Sequence, residues 1–261
     1  MVTCDLAKLD ADGAPRAAYG CILNVKGKIL GDAIVVAEQG RLGVFVSRPN
    51  SAAILELWTK YIIMEDCEVA LDDTRTLLAF HGGAAQSIAD AAGVSPHAAK
   101  LDELGVAGLV VDVARSDEDP IVARAIAAGA IEVDQATALA LHVEAGRATF
   151  GVDLDEHNYV QEGGLQARAV SFQKGCYLGQ EVVCMLQMRG KVHKRLMQLK
   201  LESPIEKGAE VKSGADVVGK VTSVAAHDGK VFALAMLKSS IAEGAAVDVG
   251  GACAQVVSEA S

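Results

Sequence analysis

Apolar and polar positions along the first third of the chain group into short runs and predict strands before helices. Residues 18–25 and 29–37 are strand-like and are separated by Lys26-Gly27-Lys28, a hairpin turn signal. A second turn at Gln39-Gly40-Arg41 leads into a third run at 42–46. After Ser47-Arg48-Pro49-Asn50 the period changes. Ile54, Leu55, Leu57, Trp58, Tyr61 and Ile62 recur at helical spacing, so a helix there buries one broad face. Trp58, the only tryptophan, belongs in the core, because an indole buries a large apolar area.

Strands are predicted next at 67–71 and 75–81, then a helix at 84–92 ending on Gly93, and a compact β-branched strand at 109–113. Asp119-Pro120 opens another helix, with proline at the first helical position, where its missing N–H costs nothing. Asp134 caps a helix that runs through Glu144 and stops at Gly146. Hairpins mixed with helices, without regular β-α-β alternation, give an α+β class rather than a doubly wound sheet.

From about Leu196 the texture is different. Short apolar runs at 196–201, 217–224, 231–237, 246–249 and 253–257 are separated by Gly, Pro and Asp-Gly signals, and Asp228-Gly229 reads as a tight hairpin. Strands without an intervening helix predict a small β-barrel or sandwich. The boundary falls between Gly190 and Leu196, which divides a region at 1–190 from a C-terminal domain at 194–258.

Composition narrows the function. With 51% hydrophobic and 22% charged residues, the 261-residue chain buries a sizeable core. A formal net charge of −10 argues against a nucleic-acid coat and against direct DNA binding. No run of about 18 apolar residues is present, and the first ten residues lack a secretory pattern, so a soluble cytoplasmic protein without membrane contact is expected. The six cysteines form no C-x-x-C pair and the six histidines no H-E-x-x-H, so no metal site is expected. Gly214 to Lys220 fits G-x-x-x-x-G-K. However, Val221 stands where a P-loop needs Ser or Thr, and the segment lies among strands, so it reads as a β-turn.

The informative segment is F-Q-K-G-C-Y-L-G-Q-E at 172–181. Gly175 and Gly179 bracket Cys176 and Tyr177, a spacing that permits a tight loop whose amides approach a ligand. Lys174 and a helix starting just downstream would both favour the Cys176 thiolate. A buried, inert cysteine beside a packing turn is the alternative. The basic run Arg189, Lys191, His193, Lys194 and Arg195 is either a solvated connector or a site for an anionic partner. It has no aromatic interleaving for base stacking.

K-G-C-Y-L-G-Q-E resembles the K-G-C-[YF]-x-G-Q-E signature of the folate-binding YgfZ family, relatives of the glycine-cleavage T-protein aminomethyltransferase. Val143-Glu144-Ala145-Gly146-Arg147 followed by Phe150-Gly151-Val152-Asp153-Leu154 is similar to that family's R-x-E-A-G and Y-G-x-D-L. Glu162-Gly163-Gly164-Leu165 resembles its E-x-G-L, Arg189-Gly190 its R-G, and Val218 to Ser223 its V-G-x-V-T-S. Residues 2–6 are similar to its T-x-D segment, which in the family follows an N-terminal strand and an F-L-Q-G motif that are absent here. Without that strand a sheet edge is expected to be unpaired.

The resemblance implies interleaved α+β lobes that bind a tetrahydrofolate, followed by a small C-terminal β-barrel. It implies an accessory role in assembly or repair of iron–sulfur proteins, including tRNA-modifying ones, with those clients or assembly proteins as partners. A folate-dependent aminomethyltransferase or methyltransferase, and a folate sensor or scaffold without chemistry, are the other functions it leaves open. Cys176 with Lys174 would carry the thiol function, within the motif Gly175, Tyr177, Gly179, Gln180 and Glu181. Glu144, Asp32 and Arg189 would contact folate. Glu144 is the pteridine candidate, since a carboxylate accepts two N–H donors from a 2-amino-4-oxo edge. Three departures accompany the match. His142 and Met185 stand where the family carries arginines, and Gly31 where the T-protein carries an acid before Asp32.

Overall fold

The computed structural model describes residues 1–9, 16–38, 41–63, 66–190, 192–227 and 229–260. In chain order its elements are β1 (Arg16–Leu23), β2 (Ile29–Glu38), β3 (Arg41–Val46), α1 (Arg48–Tyr61), β4 (Arg75–His81), α2 (Ala85–Ala92), β5 (Ala99–Lys100) and β6 (Gly108–Ala114). Then follow α3 (Glu118–Ala127), α4 (Gln135–Glu144), α5 (Gln166–Ala169), α6 (Gln180–Arg189), β7 (Lys194–Leu201), β8 (Glu210–Ser213), β9 (Asp216–His227), β10 (Lys230–Lys238), β11 (Ala246–Val249) and β12 (Ala252–Glu259). The class is α+β, as the sequence predicts.

The chain folds into two compact units. One comprises 1–24, 30–132 and 169–178, the other 25–29, 133–168 and 179–261. The second unit thus joins the barrel to stretches of the region at 1–190, a different partition from the linear one expected from composition. Helix α4 lies against β9 and β10 of the barrel, a contact between sequence-distant segments that a composition shift at 190–196 does not register.

The first unit holds two three-stranded sheets, ordered β1-β2-β3 and β4-β6-β5. Helix α1 covers one core through Ile54 and Trp58, together with Val2, Ile22 and Val35. Strand β6 is buried along nearly its whole length, which accounts for its valines at 110, 111 and 113 on both faces, with the buried Asp112 between them. Helix α2 ends at Gly93 in the left-handed conformation, as predicted. Two expectations fail in detail. No strand forms over 67–71, where only Val69 packs on the core. Pro120 is the third residue of α3, not the first, still within the turn whose N–H groups have no helical partner. The tip Gln39-Gly40 lies outside the described residues.

In the second unit, β10-β7-β12-β11-β8-β9 close into a six-stranded barrel. Alternate residues of each strand fill it, among them Leu199 and Leu201 of β7 and Ala233, Ala235 and Leu237 of β10. Strand β8 is unforeseen because it is four residues long and buries only Val211, leaving no apolar run to read. Gly219 sits opposite Leu237, and a Cβ there would lie 2.2 Å from Met236 O. Glycine is therefore what lets β9 approach β10 so closely. Gly214 turns between β8 and β9 at φ 62°, so the P-loop-like match is a β-turn. Asp228 of the predicted β9–β10 hairpin lies outside the described residues.

Candidate functional site

The T-x-D-like segment and the K-G-C loop are bonded to each other in the first unit. Thr3 is fully buried. Its N–H donates to Cys21 O (2.9 Å), its Oγ1 donates to Ala169 O (2.5 Å) and accepts from Cys21 N (2.7 Å), and its carbonyl accepts from Ser171 N (2.9 Å). Asp5 then turns the chain, with Oδ1 accepting from Ala7 N at 3.2 Å. Lys174 Nζ donates to both Val2 O and Cys4 O at 2.7 Å, bracketing Thr3, and lies 5.4 Å from the centre of the Tyr177 ring. Tyr177 is buried beneath it.

This geometry gives Lys174 a definite task. Its hydrogen bonds go to the carbonyls of residues 2 and 4 and hold the N-terminal segment. Burial lowers its pKa, partly opposed by Cys4 and Asp5. Burial raises the Cys4 thiol, and the Lys174 ammonium opposes that rise. The expected charge effect of Lys174 thus falls on Cys4. Cys176 is a free, exposed thiol in the loop, four residues before the first residue of α6. Asp32, on β2, accepts from Tyr19 Oη at 2.9 Å.

In the second unit, the end of α4 is fixed from the barrel. Gln198 of β7 donates from Nε2 to Val143 O (2.8 Å) and Glu144 O (2.9 Å), taking up two of the helix's terminal carbonyls. Gly146 passes over the Gln198 amide, as the 3.7 Å its Cβ would find there indicates. The Glu144 side chain is half-buried, and among the described residues no hydrogen bond or ion pair engages its carboxylate. That is an unfavourable place for a lone negative charge, because a helix C-terminus carries partial negative charge itself.

Asp153 is the opposite case. Its buried carboxylate accepts from Thr149 N (3.0 Å), Thr222 Oγ1 (2.5 Å) and Ser223 Oγ (2.6 Å). The G-V-D-L and V-T-S motifs are therefore two halves of one contact, which reading each motif alone does not reveal. Glu162 is buried too and accepts from Asn158 Nδ2 and Tyr159 N, both at 3.0 Å. Gly179, left-handed at φ 79°, is the N-cap of α6; Gln180 begins the helix and Glu181 sits in its first turn, where the dipole favours an acid. Arg189 is exposed in its last turn. Asp155, Glu156 and His157 bring their donor atoms within 4.8 Å of one another, all exposed. Among the described residues, no helix is long and apolar enough to cross a membrane.

No family model matches the chain. It is 26% identical over 262 residues to the tRNA-modifying protein YgfZ of Sodalis glossinidius (strain morsitans), covering 93% of this chain and 79% of that protein. It is 41% identical over 81 residues to the mitochondrial iron-sulfur cluster assembly factor IBA57 of Mus musculus, 29% of this chain and 22% of that one. A putative chloroplastic transferase of Arabidopsis thaliana is 32% identical over 137 residues, 51% of this chain and 32% of its own length. The match thus spans about a third of that plant protein and less of IBA57. The glycine cleavage system aminomethyltransferase T from Bartonella henselae shares the fold, with a TM-score of 0.83 over 98% of this chain and 78% of that one at 22% identity. These similarities support a YgfZ/GcvT-like family.

The structure places the three departures from that family's pattern. Gly31 is buried, and a Cβ at that position would lie 3.2 Å from Ile54 Cδ1. An acid there would be forced against the α1 packing face, so this chain's core is built around its absence. His142 is half-buried within α4, and Met185 is exposed on α6.

Proposed function

We propose that this protein binds a reduced folate through Glu144 and serves as an accessory factor in assembly or repair of iron–sulfur proteins, including those that modify tRNA. The observation that carries the reading is the Glu144 carboxylate, half-buried at a helix end and without a partner among the described residues. Its backbone is held in place by Gln198, so the acid is positioned before any ligand arrives. A carboxylate of this kind fits the paired N–H donors of a 2-amino-4-oxo pteridine, and a ligand that supplies them removes the electrostatic penalty. A bound tetrahydrofolate would contribute a one-carbon carrier, and Glu144 the acceptor for its pteridine N–H groups; by itself, the first unit offers the exposed Cys176 thiol in a loop bonded through Lys174.

The relatives named for tRNA modification and for iron–sulfur cluster assembly support the accessory role. Arg189, exposed on α6, would meet a folate's anionic glutamate tail. Asp32 is a remnant of amine chemistry whose neighbouring acid has become Gly31, which weighs against aminomethyl transfer. The test is calorimetric titration with 5-formyltetrahydrofolate. Wild type binds, and Glu144→Ala binds about ten- to a hundredfold more weakly, the size of one charge-assisted pair. Equal affinities would overturn the assignment.

A further inference from the structure

The first unit contains a cavity of about 670 Å³ that the reading above leaves unused. It opens among the ends of β2, β3 and β4, the second half of β6, the turn after α2 and the start of α3. Its volume is in the range of small-molecule sites. On its wall lies Asp112 of β6, whose side chain is only 2% exposed.

Two guanidiniums meet that single carboxylate. Arg75 donates from Nε to Asp112 Oδ1 at 2.8 Å and from Nη2 to the Asp112 carbonyl at 2.9 Å. Arg41 Nη2 pairs with Asp112 Oδ2, while Asp72 approaches Arg41 Nη1 at 4.0 Å. Arg124 of α3 lines the same cavity, its Nε donating to Ala92 O at 2.8 Å, which leaves its Nη donors for other partners. Glu38 on the wall is paired with His97, and Asp117 is the other carboxylate there. Three guanidiniums thus line one cavity, Arg41 and Arg75 both turned to Asp112, while Asp72 and Asp117 lie near them and Glu38 is engaged by His97. The buried acid fixes the orientation of two guanidiniums that remain 29% and 45% exposed. Oriented forks with spare N–H groups are a receptor for planar or tetrahedral oxyanions.

We propose that this cavity binds a small organic anion through a phosphate or carboxylate group, held by Arg41, Arg75 and Arg124. The test is calorimetric titration of the full chain at constant ionic strength with adenosine 5′-monophosphate, citrate and inorganic phosphate in separate arms. The nucleotide binding better than citrate assigns a phosphate, and the reverse assigns a carboxylate. Binding tighter than about 1 mM by one organic probe is expected, with Arg124→Gln weakening it about tenfold. Arg41→Gln is the second variant, since Asp112 keeps its Arg75 partner there, and it is expected to weaken binding to a similar degree. Absence of binding by all three probes, or affinities unchanged in both folded variants, would overturn the proposal.

Discussion

Glu144 and Asp153 lie nine positions apart in the same unit, both in motifs that resemble one family, and they carry opposite burdens. Asp153 is buried and accepts from a backbone amide and two hydroxyls. Glu144 is half-buried at a helix end, with its backbone fixed and its carboxylate without a partner among the described residues. A satisfied buried acid holds the barrel to the loop that precedes it. An unsatisfied one, placed against a helix dipole, costs stability, and that cost is what the proposed folate contact at Glu144 would offset. Matching a motif therefore does not make a residue functional; its hydrogen-bond accounting separates the two.

Asp153→Ala breaks the structural side of the comparison and should have the largest effect. It leaves Thr149 N, Thr222 Oγ1 and Ser223 Oγ without their shared acceptor. A loss of about 3–5 kcal/mol is expected, read as a lower urea midpoint at unchanged m-value. A midpoint within experimental error of wild type would place Asp153 among the dispensable residues.

Lys174→Met extends the comparison to the first unit, where the charged group bonds to backbone. Removing two charge-assisted bonds to Val2 O and Cys4 O should cost about 1–3 kcal/mol. Amide exchange at residues 3 and 21 should accelerate, since Thr3 and Cys21 share reciprocal bonds. Unchanged protection there would mean that the lysine does not hold the segment.

The smallest expected effect is a pH dependence. Burial raises the Cys4 thiol above its ordinary 9.0. A group raised in the folded state contributes stability fully below its unfolded pKa and loses it as pH climbs through the folded value. Lys174, lowered by burial, acts in the other direction. The stability of wild type relative to Cys4→Ala should therefore fall above pH 9.0, where the thiol begins to titrate when unfolded. Urea midpoints of both proteins measured on either side of that value check it, and a constant difference would contradict the burial of Cys4.

Much of this was legible in the sequence. The helix from Asp134 to Glu144 was, because its cap and its stop are local: Asp134 Oδ1 accepts from Thr137 N at 2.7 Å, and Gly146 takes φ 68°. The barrel strands were legible wherever alternate residues face its core, and β8 was not, since four residues with one buried valine carry no period. The role of Lys174 was hidden because its partners are 172 and 170 residues away in the chain, and proximity in sequence pointed to Cys176 instead. Asp153 and Ser223 were visible as motifs but not as a pair, because 70 residues separate them. The Arg41–Asp112–Arg75 cluster gave no signal, since each charge alone reads as a solvated surface residue.

The most direct test is the thermal shift that 5-formyltetrahydrofolate induces in Glu144→Gln, measured beside wild type. An isosteric amide removes the charge from the helix end and keeps the shape. The account predicts that the free variant melts at the same temperature as wild type or higher, while most of the ligand-induced rise is lost. A variant that melts lower when free yet keeps the full ligand-induced rise would show that Glu144, like Asp153, belongs to the scaffold.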